Sequence, residues 1–382
     1  MKITMSRAAA IEAISPMMCA VGKTSFPTTE GILIEAKSPD VCILTAYDTE
    51  KGVRREISAR VDEEGLYSIP AQKFMQTLKV MEGEEITLEV DDKMIACIYS
   101  GKSSHKMNAM KGEDFPTIPR LKTEKGFSIG QGILKKMLSK VAFAMGTNDQ
   151  RAVLNGCFFR VTENTLHLVS CDTFKLARCT VQTPVENKSE DNSEMSFSFI
   201  VPVKTVNELQ RLLSDGEEED VRIHLSRKFI VFEIDDIVFF SRLVDGDYID
   251  YDRILMRNHR IFAEIDKGSF ISALERAALV TEERIAGSVR SHVKLNFANG
   301  ILKIMATSAA GSTYDEIDID QDGDDLTIAF NNRFLIDTIR ACDTKCVKVS
   351  MSSPISSINV EPVDPNEDSE DIFMLLPVRI KE

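Results

Sequence analysis

Apolar and polar positions follow the same order in three separate blocks of this chain. Residues 68–79 read Ser68-Ile-Pro-Ala-Gln-Lys-Phe-Met-Gln-Thr-Leu-Lys79. Residues 200–211 read Ile200-Val-Pro-Val-Lys-Thr-Val-Asn-Glu-Leu-Gln-Arg211, and residues 328–339 read Ile328-Ala-Phe-Asn-Asn-Arg-Phe-Leu-Ile-Asp-Thr-Ile339. Each block runs from a short apolar stretch into a one-faced helix pattern and then into a strand-like run. The blocks recur at roughly 130 residues, which is domain-sized and too long for a solenoid repeat.

A second helix pattern precedes each block. The first spans Met5 to Val21, with Ala8, Ile11, Ile14, Met17 and Met18 on one face. The second spans Ile133 to Met145 and the third Ser269 to Val280. Between the paired helices lie alternating runs that read as strands: 31–36, 164–170 and 300–306. The unit is therefore helix, strands, helix, strands, written three times. Pro-containing or acidic connectors lie where units would join, at 112–126 and 245–256, and Asp114-Phe115-Pro116 is echoed by Asp247-Tyr248-Ile249. Two polar, acidic stretches, 187–194 and 364–371, read as loops.

Composition adds little to this and excludes some classes. Hydrophobic residues make up 43% and charged residues 28%, as in an ordinary globular chain. No apolar run reaches a membrane span, and the N-terminus carries no signal-peptide core, so a cytoplasmic location is expected. Eight scattered cysteines, several inside apolar strands, read as reduced core residues.

Motifs of catalysis and metal binding fail at their key positions. Asp318-x-Asp320-x-Asp322-Gly323 begins like a calcium loop, but its twelfth position, where a bidentate Glu is needed, is Ala329. Gly101-Lys102-Ser103 imitates the end of a phosphate loop, with Ala96 where the leading Gly belongs. Cys342 and Cys346 have no second ligand pair at zinc spacing. The five histidines fall into no nucleophile pattern. No enzyme activity, metal or cofactor is expected.

Charge is more informative. The net charge of −14 argues against simple nucleic-acid binding. Yet the helix segments carry local cations: Lys73 and Lys79; Lys135, Lys136 and Lys140; Arg333 and Arg340. The acids concentrate in turns such as Glu82-Gly-Glu-Glu85. A segregated field of this kind could hold DNA by its phosphates alone, without reading bases.

Several motifs then stand together in order. They are Leu44-Thr-Ala-Tyr-Asp-Thr-Glu50, Gly112-Glu-Asp-Phe-Pro116, Arg151-Ala-Val-Leu-Asn-Gly156 and Cys171-Asp-Thr-Phe-Lys-Leu-Ala177, followed by Leu243-Val-Asp-Gly-Asp-Tyr248, Ala329-Phe-Asn331 and Leu376-Pro-Val-Arg-Ile380. With them the whole chain resembles the bacterial DNA polymerase III beta subunit, the replicative sliding clamp. The resemblance implies an α+β fold of three repeated clamp domains, at 1–121, 127–252 and 258–382, each with two helices packed on antiparallel sheets. Two chains would close head to tail into a dimeric ring around duplex DNA. The implied partners are double-stranded DNA, the polymerase III alpha subunit, the clamp loader and other proteins carrying a short peptide motif. A non-catalytic interaction scaffold of the same fold is the alternative.

The resemblance also assigns residues. The partner-peptide pocket would comprise Leu154, Cys171, Thr173, Phe174, Lys175, Leu176, Ile249, Arg253, Ile254, Met374, Leu376, Pro377, Val378 and Arg379. On the resemblance DNA would meet Lys23 and Asn148; the charge pattern adds the helix cations Lys73, Lys79, Lys135, Lys136 and Lys140. His105 and Met107 would meet Leu279 and Val280 of the other subunit. The chain departs from the family pattern in three places. The usual Thr-Asp-Gly-His-Arg-Leu reads Cys171-Asp-Thr-Phe-Lys-Leu176, Ile249 stands where Pro is usual, and Ala152-Val153 replaces an aromatic pair.

Overall fold

The computed structural model describes residues 1–22, 27–119, 125–189, 195–216, 219–255, 258–281, 292–309 and 311–379. Among them are seven α-helices: α1 (Arg7–Met17), α2 (Ala71–Val80), α3 (Gln131–Val141), α4 (Val203–Leu212), α5 (Tyr251–Ile254), α6 (Lys267–Thr281) and α7 (Asn332–Ala341). All strand pairing in the four sheets is antiparallel, which needs only short connections.

Local sequence explains where the helices begin and which face they bury. The Ser6 hydroxyl accepts a hydrogen bond from the Ala9 N–H at 3.3 Å, which caps α1. That helix then buries Ala10, Ala13, Ile14 and Met17, at steps of three and four. Asn331 caps α7 in the same way, accepting from the Phe334 N–H at 3.3 Å, and Leu335, Ile336 and Ile339 face inward. The Asn332 amide donates to the Leu274 carbonyl at 2.9 Å and fastens α7 to α6.

The chain divides into two compact units. The first holds Met1–Gly132, Glu186–Ser193 and Arg211–Leu243. It carries a five-stranded sheet that ends on the edge strand Ser103–Asn108, and a ten-stranded sheet. In the larger sheet the strand Lys51–Ser58, of the first repeat, pairs with Ile237–Arg242, of the second. Gly52 lies opposite Phe240 there, and a Cβ on Gly52 would come within 2.2 Å of the ring. Only glycine lets the strands close over that ring. Leu33, Tyr47, Phe115, Val231 and Phe240 form a core cluster beside it.

The second unit holds Ile133–Val185, Glu194–Gln210 and Val244–Glu382. Its four-stranded sheet ends on the edge strand Gly311–Asp318. Its nine-stranded sheet joins the second and third repeats through Lys175–Gln182 and the C-terminal strand Ser369–Leu375. In that register Leu176 faces Met374 and Cys179 faces Asp371.

Three expectations about secondary structure change. Residues 2–6 form a strand, so the first helix begins at Arg7 rather than Met5. The connector 245–256 contains the short helix α5. The acidic stretch 364–371 is a loop only at its start, because Ser369–Asp371 open the C-terminal strand and Asp371 is 3% exposed. The calcium-like residues Asp320–Asp322 form a strand paired with Phe262–Glu264. All eight cysteines are free thiols, and burial pushes Cys42 and Cys342 up to about 12. No helix among the described residues is long and apolar enough to cross a membrane.

Candidate functional site

The second unit gathers much of the expected pocket into one apolar cluster. Leu154, Cys171, Leu176 and Met374 are buried together with Val169, Tyr251 and Leu255. Ile249 packs against this floor from the side, as do Val153, Phe158, Tyr248 and Ile372. Phe158 and Tyr248 stack with ring centroids 5.0 Å apart. Tyr248, Tyr251, Leu255 and Phe158 were not among the expected pocket residues. The signal for Tyr248, Tyr251 and Leu255 was the apolar content of the 245–256 connector, which α5 folds against the sheet; Phe158 comes from the strand Gly156–Thr162, whose apolar run gave no sign of a pocket.

Above the floor stand side chains that water reaches. Phe174, Ile254, Leu376 and Val378 are all exposed. The Leu376 N–H donates to the Phe174 carbonyl at 2.9 Å, and the Val378 N–H donates to the Ala329 carbonyl at 2.8 Å. The segment after the C-terminal strand is therefore tied down at alternate residues, with Pro377 between the ties restricting the backbone to an extended course. The segments that supply the buried cluster thus also carry exposed apolar side chains, the kind of surface a groove for a short peptide needs. Arg379 is exposed, and Arg253 is exposed with its guanidinium 2.8 Å from Asp250. Ile380 lies outside the described residues.

The turn at 172–175 shapes the other side. Asp172 accepts from the Phe174 N–H at 3.0 Å and the Lys175 N–H at 2.9 Å. Thr173 has φ of 77°, a left-handed conformation unfavourable for a β-branched residue. Thr173→Gly is expected to raise stability by about 0.5–1 kcal/mol, the relief of left-handed strain less the entropy glycine loses on folding. Denaturant titration checks this, and a loss of stability would mean that the threonine side chain makes a compensating contact.

Lys175 is placed differently from the expectation of a ligand-facing cation. It is buried, its ammonium bonds Asp172, and it sits 4.6 Å from the Phe334 ring centroid. Phe334 and Phe143, neither expected at the site, line a hollow of about 590 Å³ with Thr173, Phe174, Lys175 and Asn148. The hollow brings an expected DNA residue beside expected peptide residues.

The expected DNA cations divide into two kinds. Lys73 and Lys79 are exposed on α2, Lys136 is exposed on α3, and Lys135 is half-buried there. Neither α2 nor α3 contains an acidic residue. Lys140 is a correction: its side chain is 7% exposed and is held 2.6 Å from Asp371 and 2.9 Å from Asp343. Buried and doubly paired, it has no face to offer a phosphate. Burial lowers the affinity of Lys140 for its proton, but Asp371 and Asp343 outweigh burial and raise its pKa. Burial likewise works against ionised Asp343, yet Lys136 and Lys140 bring it down to about 2. Lys23 lies outside the described residues.

The expected seam residues lie on an edge strand and at a helix end. His105 and Met107 belong to the edge strand Ser103–Asn108; His105 is exposed and Met107 is buried. With Lys73, Thr77 and Val80 they line a hollow of about 650 Å³. At the end of α6, Leu279 is 78% exposed, whereas Val280 is 9% exposed and belongs to its own core.

Comparison with known proteins matches this architecture along the whole chain. Family models of the DNA polymerase III beta subunit match in order: the N-terminal domain at residues 1–119, the central domain at 128–250 and the C-terminal domain at 252–377. The beta sliding clamps of Staphylococcus epidermidis and Staphylococcus aureus are each 28% identical over 379 residues, covering 97% of this chain and 95% of theirs. The crystal structure of the DNA polymerase III subunit beta from Pseudomonas aeruginosa superposes with a TM-score of 0.89 at 27% identity, over 100% of both chains. The Bacillus subtilis DNA polymerase sliding clamp gives 0.90 at 23% identity over 100% of both chains, a likeness of fold. On these matches, the chain belongs to the DNA polymerase III beta subunit family of sliding clamps.

Proposed function

We propose that this DNA sliding clamp closes head to tail with a second copy of itself into a ring of six similar domains. The ring encircles duplex DNA in the cytoplasm without reading its sequence. It holds the polymerase III alpha subunit, the clamp loader and other motif-bearing proteins through the groove described above. The domains on this reading are 1–121, 127–252 and 258–382. The chain is a processivity factor and not an enzyme.

The observation that carries the DNA reading is the charge of the helices. In a chain of net charge −14, α2 and α3 present lysines and no carboxylate. Such helices attract phosphates even in a chain that is acidic overall. Weak, sequence-independent phosphate contact suits sliding, because a topological hold makes tight binding unnecessary. Lys73 and Lys79 on α2 and Lys135 and Lys136 on α3 are the described lysines we assign to DNA contact, together with Asn148.

Ring closure rests on the edge strands Ser103–Asn108 and Gly311–Asp318, each with an unpaired side. A head-to-tail dimer would cover both, and Leu279 is an exposed apolar side chain that we assign to the interface. Val280 is set aside as a seam test, since truncating it would cut into its own domain. Full burial of a leucine contributes about 1.5–3 kcal/mol, and a two-subunit ring has two seams. Leu279→Ala is therefore expected to weaken dimerisation by about a hundredfold or more. Sedimentation equilibrium reads the shift. A Leu279→Ala dimer as tight as wild type would remove Leu279 from the seam.

A further inference from the structure

The C-terminal strand Ser369–Leu375 has two working faces. On one, Phe373 packs against Phe143 with ring centroids 6.0 Å apart, and Asp371 meets Lys140 of α3. On the other, Ile372 and Met374 join the groove cluster. The strand then runs directly into Leu376 and Val378, which form the rim. Whatever fixes the first face therefore sets the second.

Lys140 is fixed by more than one partner. Its ammonium lies between Asp371 and Asp343, and Asp343 also takes Lys136 at 2.8 Å. Asp343 follows the end of α7, so the chain Lys136–Asp343–Lys140–Asp371 ties α3, the exit of α7 and the C-terminal strand together. Opposite, the Arg178 guanidinium bonds Glu370 and stands 3.8 Å from Asp252 of α5, on the groove side.

A buried ion pair is a poor source of net stability, since desolvation offsets its attraction. It is a strong source of register. A slip of two residues along the strand keeps every side chain on its own face, so face alternation alone does not exclude it. The same slip would carry Asp371 away from Lys140 and leave its carboxylate buried without that partner, while Lys140 keeps Asp343. We infer that the Lys140–Asp371 ion pair is a positioning device for the groove: it fixes the C-terminal strand along α3 and thereby sets where Met374, Leu376 and Val378 stand. Neither residue touches the ligand. The inference rests on the groove reading, and it assigns to Lys140 a role in holding partners in place of one in holding DNA.

The test uses the full chain and a synthetic Gln-Leu-Asp-Leu-Phe peptide, with affinity from calorimetry and stability from thermal unfolding. Lys140→Met and Asp371→Asn are expected to weaken peptide binding about tenfold or more, since each removes the ion pair that ties the strand to α3, and Lys140→Met also leaves the Asp371 carboxylate buried without its lysine. The double variant Lys140→Met with Asp371→Leu separates positioning from stability. An apolar pair there should restore the melting temperature, but it no longer distinguishes registers, so affinity is expected to stay about fivefold or more below wild type. If the single variants do not fold, the double variant decides alone. Wild-type affinity in a folded single variant, or in the double variant, overturns the inference. Leu376→Arg is the control on the groove itself. If that chain binds the peptide normally, the groove is elsewhere and the inference falls with it; if it does not bind while the double variant does, only the positioning role is wrong.

Discussion

Removing residues 376–382 is expected to abolish binding of a Gln-Leu-Xaa-Leu-Phe peptide while leaving the fold and the dimer intact. The C-terminal strand ends at Leu375, which is fully buried, so the sheet keeps its last ladder partner in the truncated chain. Outside the strand, the deletion breaks the backbone bonds to the Phe174 and Ala329 carbonyls. The groove loses the apolar surfaces of Leu376 and Val378 and the restraint of Pro377. Each apolar side chain covered by a ligand contributes about 1.5–3 kcal/mol when fully buried. Losing two lowers affinity by a hundredfold or more, at about 1.4 kcal/mol for each factor of ten. A peptide of this size that loses its freedom on binding starts near micromolar affinity, so the remainder falls below detection. Calorimetry on the truncated chain, with sedimentation as the control for assembly, reads both effects. Peptide binding at wild-type strength would place the site elsewhere.

The altered turn bears on which peptide fits. Lys175 is closed off by Asp172 and Phe334, so the turn itself offers the exposed Phe174 ring in place of that cation. An apolar or aromatic ligand residue fits that surface better than a carboxylate.

The threefold pattern was legible because helix and strand periods differ, and each repeat writes them in the same order. Helices α2, α4 and α7 follow their strands where the apolar runs and prolines indicated. The strand Lys2–Ser6 was not legible, because its five residues run without a break into a helix pattern. Asp371 looked like loop because its neighbours are acidic. Its burial depends on Lys140, 231 residues away in sequence, which local composition does not reveal. Lys140 itself gave a weak signal: it lies three residues after the buried Met137, beside the apolar stripe of α3 rather than opposite it. Leu279 and Val280 are adjacent on one helix and alike in composition. Only the packed structure distinguishes the side chain facing water from the one facing the core.

The central claim is that the chain holds DNA by surrounding it. A phosphate-bound protein loses affinity steeply as salt rises, because binding releases counterions. A closed ring threaded on DNA escapes only by opening or by sliding off an end. Loaded onto a closed circle, the protein is expected to remain through a salt wash that strips an open binder. After a single cut in the same DNA, it is expected to leave within the time needed to slide to an end. The deciding measurement is retention on circular DNA and on its linearised form, after loading by a cognate clamp loader, at low and high salt. Long retention on circles at both salts, with rapid loss on linearisation, is the predicted result. Equal lifetimes on circular and linear DNA, falling together as salt rises, would contradict encirclement.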